Sequence, residues 1–562
     1  MINLKGLFFL ALFSHVMIQL YSNWHDCMTS DAQRLLEQMQ ILPCSQISVI
    51  ISDEQLVDNQ LQTIFNQIAD GKKEIDALVH TLYKTGKKWG IPDPEFYETQ
   101  FEVGGQLKRV GECLGSGRAF QNVILDAVTI LKNKNHPLYF YLFSLFKVFI
   151  EHDEKLINCY GKCLDYRLDD ASISNVFNDK DLFKKHKKAL DLFCGELCKE
   201  FQDRDLTRQQ ESSGYGLSLL KVLSIFRAVP GSFATYETLK ESSKNYCQTQ
   251  EYKIREHDKI AWFFPDLRSN RSCALSEKSC KELVKRTLQL LKAKDSWLTC
   301  PHREVGAVDI SFLPTSVRKK FPTLNEPFKN IHINSAAYSQ FSGVLSMYRA
   351  EEIIKLLTHE FLHRIDFDVS CRVFCPDFVK VFAQDYAVIK KDFSGEYIDA
   401  LLLSEALTEA GACFLNILFI AAEQENSLQA FKEMWACEIR FSVIQTAKIL
   451  HLSGFKTIQE FCDPEATDKR VHEWTSAVEY HIFKAALLND LNAFMHLFIC
   501  NNQNRQAPTI EDVVERINVG MKDRLFVDNI NSVLNILYKR HIDFESFLYT
   551  TGRMTLIEQK LD

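Results

Sequence analysis

His359-Glu360-Phe361-Leu362-His363 sets two imidazoles and a carboxylate at the spacing of a helical metal site. Residues four apart on a helix share a face, so both rings can hold one Zn2+ from the same side. Glu360 sits one step round, where a carboxylate can take a proton from water held by the metal. With 16 histidines among 562 residues, such a run arises by accident roughly 0.03 times per chain of this composition, so coincidence explains it poorly. The flanks carry the same helix. Ala350, Ile353, Leu357, Phe361 and Ile365 recur at steps of three and four, with no Pro or Gly between Ala350 and Ser370.

A catalytic zinc site needs three protein ligands and a water. Glu405 and Glu409 are the only charged residues from Ala400 to Ala422, a stretch apolar enough to be a helix buried nearly all round. Two carboxylates there cost several kcal/mol unless a cation or hydrogen-bond donors meet them. Their four-residue step puts them on one face. The expected assignment is Glu405 on zinc and Glu409 accepting a ring N–H from a ligating histidine, with the reversed roles as the alternative. Asp366 and Asp368 follow the motif more closely, and Asp366 is the candidate for a further supporting carboxylate. No third histidine follows at the short spacing of a three-histidine site.

The elements that must position these residues read as mostly helical. Asp31 to Leu42, Glu54 to Ile68, Lys73 to Lys84, Phe120 to Lys132, Leu138 to Glu151 and Phe183 to Phe201 all show helical apolar spacing, with a short β-like run at Gln46 to Ile51. From about Arg271 the texture changes. An amphipathic helix over Ser279 to Lys294 precedes two β-rich runs, Gly306 to Leu313 and Asn330 to Ala336, and then the motif helix. Beyond Glu425 the chain is helical again, with breaks near Gly454 and Asp463-Pro464. The expectation is an α+β fold, predominantly α-helical, in which a small sheet lies over the active-site helix and Asn330 to Ala336 pairs with extended substrate. The expected division is a helical accessory domain over 23–255, a catalytic domain over 256–440 and a C-terminal helical region over 441–562.

Lys and Arg total 66 against 73 Asp and Glu, for a net charge of −7. Both signs are mixed, and no basic stripe or Gly-rich phosphate loop favours a nucleic-acid partner. Lys5 followed by the apolar run Leu7 to Leu20 reads as a secretory signal peptide over 1–22, implying a secreted protein with no stable membrane insertion after its removal. The 17 cysteines suit an oxidising compartment. Cys159/Cys163, Cys194/Cys198 and Cys371/Cys375 are spaced four apart, and the first two pairs are candidates to staple a helix pair by disulfides.

His359-Glu360-Phe361-Leu362-His363 followed by Glu405-Ala-Leu-Thr-Glu409 resembles the gluzincin pattern of the zincin metallopeptidases. With Arg364-Ile365-Asp366 and the roughly forty-residue gap to Glu405, it resembles the anthrax-lethal-factor-like metallopeptidase domain over about 275–425. That resemblance implies a secreted zinc endopeptidase carrying one Zn2+ per chain and acting on a protein or peptide substrate. It also implies a tyrosine shortly before the ligand glutamate that stabilises the oxyanion, and Tyr397 is the nearest match. Two other readings stay open: a zincin-fold interaction module that binds zinc without cleaving, and a disulfide-braced helical secreted binding protein.

Overall fold

The computed structural model describes residues 24–41, 51–85, 246–253, 259–265, 275–300, 304–315, 318–339, 344–372, 382–391, 397, 401–499, 508–539 and 546–561. The expected signal peptide, the helices over Phe120 to Phe201 and the cysteine pairs 159/163 and 194/198 lie outside the described residues. The fold is α+β and predominantly helical, with one five-stranded sheet and one two-stranded sheet among the described residues.

The larger sheet comprises β1 (Tyr246–Lys253), β2 (Lys259–Pro265), β3 (Ala307–Thr315), β4 (Ala336–Ser339) and β5 (Val344–Arg349), in the order β1-β2-β3-β5-β4. β2, β3 and β5 run parallel, while β1 and β4 close the edges antiparallel. Val308, Ile310, Phe312, Leu345 and Met347 alternate along β3 and β5 and are buried on one face of the sheet. β4 therefore supplies the edge expected of Asn330 to Ala336. Most of that run is instead a short helical turn, Asn330–Ile333. Phe328 is the reason: its backbone exchanges hydrogen bonds with His472 and Trp474, outside the sheet, which tethers the chain before Asn330. Only from Ala336 does the strand begin.

Two N-terminal helices, α1 (Ser30–Ile41) and α2 (Glu54–Thr85), precede the sheet, and α2 runs unbroken through the segment where two helices were expected. Helix α3 (Glu277–Ser296) connects β2 to β3 and is fastened to the sheet by Trp262, whose indole N–H donates to Thr287 Oγ1 at 3.1 Å. Helix α4 (Ile353–Arg364) carries the H-E-x-x-H run and packs on β4, β5, α3 and α5 (Leu403–Ala421). Gly411 lets α5 come close, since a Cβ there would collide with the Phe498 ring and stand 3.2 Å from Leu362 Cδ1. Helix α5 is long and apolar enough to cross a membrane, but 94% of that window is buried, and it is the central helix of the core. Helix α6 (Ser427–Leu452) packs beside it.

Among the described residues the buried core includes residues from Trp24 to Ile557, and both expected boundaries fall within its elements. The 255/256 boundary falls inside the β1–β2 hairpin, and 440/441 falls within α6. The N-terminal helices are stitched on as well: Trp24 Nε1 donates to Glu433, and Ser52 Oγ to Asp490. No disulfide joins the described cysteines to one another.

Candidate metal centre

Helix α4 presents His359, Glu360 and His363 from a wholly buried segment. Its C-terminus makes the turn on which the site depends. Asp366 takes the left-handed conformation (φ 58°), Phe367 N donates to Leu362 O at 3.1 Å, and Asp366 N donates to His363 O at 3.2 Å. These two bonds form a Schellman motif, with Asp366 in the position usually taken by glycine. The reversal swings Asp368 back onto the helix, where its Oδ2 lies 2.7 Å from His363 Nδ1. The supporting carboxylate is thus Asp368, and Asp366 makes the turn that brings it there. Spacing along a continued helix favoured Asp366, and only the αL reversal makes Asp368 the nearer.

Helix α5 supplies the other half. Glu405 lies in its first turn, where a carboxylate suits the helix N-terminus, and Leu402 N is held by Glu479 Oε1 at 2.7 Å. Glu405 Oε2 stands 3.2 Å from His359 Nε2 and 3.4 Å from His363 Nε2, and the two Nε2 atoms are 3.2 Å apart. Glu409, one turn on, places Oε2 3.0 Å from His359 Nδ1. Its Oε1 pairs with Lys355, which lies one turn before His359 on α4. Glu405 converges with both Nε2 atoms, and Glu409 stands behind the His359 ring.

Two residues were missed in the sequence. Lys355 looked like one helix cation among many, and nothing local says that it is buried. Tyr480 lies on a five-residue π-helical turn, Glu479–Phe483, of the kind that recurs at functional sites. Its hydroxyl donates to Glu405 Oε2 at 2.9 Å, and its ring stands edge-on to His359 with centroids 5.8 Å apart. Tyr397, expected near the ligand, is 70% exposed and packs under Lys391, whose Nζ is 4.5 Å from the ring centroid. The structure brings Tyr480, not Tyr397, to the cluster. A sequence separation of 75 between Glu405 and Tyr480 hides that contact from any local reading.

The electrostatics converge on one demand. Burial alone would lower the His359 imidazole, but hydrogen bonds to Glu405 and Glu409 outweigh it and raise it. For His363, burial is overcome by the charges of Asp368 and Glu405, and it rises well above its usual value. Burial would raise Glu405, yet the two histidines hold it well below the carboxylate range. Glu360 goes the other way, because burial lifts it more than the histidines pull it down. Glu360, Glu405, Glu409 and Asp368 gather round the two imidazoles, with the Lys355 and Lys484 ammoniums acting on Glu409, and positive charge is favoured at the two rings.

A zinc ion fits that demand. Tetrahedral ligands about 2.0–2.1 Å from Zn2+ stand about 3.3 Å from one another, which matches the 3.2, 3.2 and 3.4 Å triangle of His359 Nε2, His363 Nε2 and Glu405 Oε2. These three residues also form the one His/Cys/Asp/Glu grouping of metal-holding geometry among the described residues.

No protein-family profile matches the chain, and no solved structure does. The chain is similar to an uncharacterized protein of Acanthamoeba polyphaga mimivirus, at 26% identity over 193 residues. That similarity covers 31% of this chain and 45% of the viral protein, less than half its length.

Proposed function

We propose that the chain is a zinc-dependent endopeptidase with a zincin-like core of the gluzincin type, binding one Zn2+ per chain and acting, after export, on a protein or peptide substrate. One observation carries the proposal: three donor atoms from two helices form a zinc-sized triangle, with Glu360 beside them on the same helix turn as His359. Glu409 and Asp368 fix the ring orientations from behind. Bound zinc would supply a water of near-neutral pKa and polarise the scissile carbonyl.

Glu360, lifted by burial, is the carboxylate that would take a proton from the attacking water and hand it to the leaving amine. Tyr480 Oη, already donating to Glu405, is the phenol placed to turn toward a developing oxyanion. β4, the sheet edge packed on α4, is the strand along which extended substrate backbone would pair.

The test is Glu360→Gln in the zinc-loaded protein. Zinc content should stay at one per chain, while cleavage of a peptide library falls by about 10²–10⁴-fold, the usual worth of a general base. Undiminished turnover in the variant rules out this mechanism. Zinc binding without any chelator-sensitive cleavage by the wild type favours the non-cleaving module instead.

A further inference from the structure

Lys355 is the buried charge in the site that the proposed chemistry leaves unused. It is 1% exposed, sits four residues before His359 on α4, and touches Glu409 Oε1 and Met554 Sδ, the latter at 3.4 Å. Glu409 is fully buried on α5, and its two oxygens are divided: Oε1 to Lys355, Oε2 to His359 Nδ1. The same carboxylate has other partners within reach. Cys413 Sγ lies 3.9 Å from Oε1, and Lys484 exerts a Coulombic pull on it.

A glutamate has three side-chain torsions, and a carboxylate held at one oxygen alone can swing about that contact. Anchoring the second oxygen removes the freedom. Because Lys355 and His359 lie one turn apart on one rigid helix, the anchor and the target are fixed relative to each other. We infer that Lys355 is a positioning residue: by holding Glu409 Oε1 it aims Oε2 at His359 Nδ1, and so keeps the His359 Nε2 lone pair directed at Glu405 Oε2 and His363 Nε2. Lys355 acts on the metal only through Glu409. The inference rests on the zinc reading proposed above and adds to it a third tier of support.

The test reads zinc affinity, not turnover, by competition with a chromophoric chelator in the full chain. Lys355→Met keeps the volume and removes the anchor, and affinity should fall about ten- to a hundredfold, the range for groups that orient a ligating histidine. Glu409→Gln should fall by a similar factor, and the double variant by little more than either single one, because the two act in series. Additive losses, or an unchanged affinity in Lys355→Met, overturn the inference. Met554→Leu, which alters the other contact of Lys355, should leave the affinity within about threefold; a drop matching that of Lys355→Met assigns the effect to packing and also overturns it. If Lys355→Met does not fold, Lys355→Gln takes its place. Failure of both to fold, with Glu409→Gln folded and zinc-bound, counts against the inference, since the lysine would then serve the fold independently of Glu409. A wild type that binds no zinc sinks the zinc reading itself, which is a different result from zinc binding indifferent to Lys355.

Discussion

His359 and His363 face each other through Nε2 atoms 3.2 Å apart, while the Nδ1 of each is held by a carboxylate, Glu409 for the first and Asp368 for the second. A neutral imidazole has one N–H, and the carboxylates claim it at Nδ1. Both Nε2 atoms are then lone pairs pointed at each other and at Glu405. Three acceptors in so small a triangle repel unless something positive sits among them. Protons can fill that role, as can a divalent cation, and the two compete.

The competition fixes the pH behaviour of metal binding. Zinc takes neutral imidazoles, and its binding displaces protons. Both histidines have raised values in the metal-free chain, through their carboxylate partners. Protons therefore begin to compete above pH 6.5, and apparent zinc affinity should fall as pH drops through neutrality. A titration by chelator competition from pH 8.5 to 5.5 reads this directly. At pH 8, His359→Ala, His363→Ala and Glu405→Ala should each lose stoichiometric zinc, and the wild type should gain thermal stability on adding it, by mass action. Affinity flat across that range would mean the donors are not these imidazoles.

Asp368 and Asp366 divide a task that spacing alone assigned to one residue. Asp368→Asn keeps the shape and weakens the acceptor behind His363, so zinc affinity should fall about ten- to a hundredfold. Asp366→Gly places at φ 58° the residue that such a conformation favours, and a non-glycine residue there costs about 1–2 kcal/mol. That variant should bind zinc as the wild type does, with an unchanged or slightly higher melting temperature. Equal losses from the two substitutions would show that the Asp366 carboxylate, which glycine removes while keeping the turn, serves the site as well.

Tyr480 and Tyr397 separate in the same manner. Removing one oxyanion donor typically costs about 10²–10³-fold in kcat. Tyr480→Phe should show a loss of that order with zinc still bound, and its effect should appear in kcat more than in KM. Tyr397→Phe, with the ring exposed over Lys391, should change either constant by no more than about threefold. The reverse ranking would restore Tyr397 to the site and leave Tyr480 as a brace for Glu405.

What the sequence disclosed was whatever a single helix encodes. His359, Glu360 and His363 are one turn of α4, and Glu405 and Glu409 are one turn of α5, so periodicity and the oddity of two carboxylates in an apolar run were enough. The helices over Ser279 to Lys294 and Ala400 to Ala422 and the strand from Gly306 appear close to where their patterns put them. What stayed hidden depended on the chain reversing or returning. Asp368 reaches His363 only because Asp366 turns left-handed. Tyr480 reaches Glu405 across 75 residues. The β-branched residues of Asn330 to Ala336 suggested a strand, but the tether at Phe328 overrode local preference.

A buried triad beneath the site yields a prediction about stability. Lys390 Nζ lies 3.1 Å from Glu473 and 2.5 Å from Glu479, so one cation serves two carboxylates. Glu479 also holds Leu402 N at the start of α5 and immediately precedes Tyr480, so the triad underlies both Glu405 and the phenol beside it. Burial, then the charge of Glu479, pushes Glu473 up to about 8 against the pull of Lys390. The folded protein therefore keeps a proton that the unfolded chain releases near its ordinary 4.5. A carboxyl raised in the folded state contributes most below its unfolded value, and that contribution is lost as pH climbs through the folded one. Stability should thus decline between pH 5 and pH 9 in part through Glu473. Glu473→Gln keeps the hydrogen-bonding shape without the titration, so its melting temperature should match the wild type near pH 5 and exceed it near pH 9. Parallel melting curves across that interval would place the proton elsewhere, with Glu473 ionised throughout and Lys390 balancing both carboxylates at once.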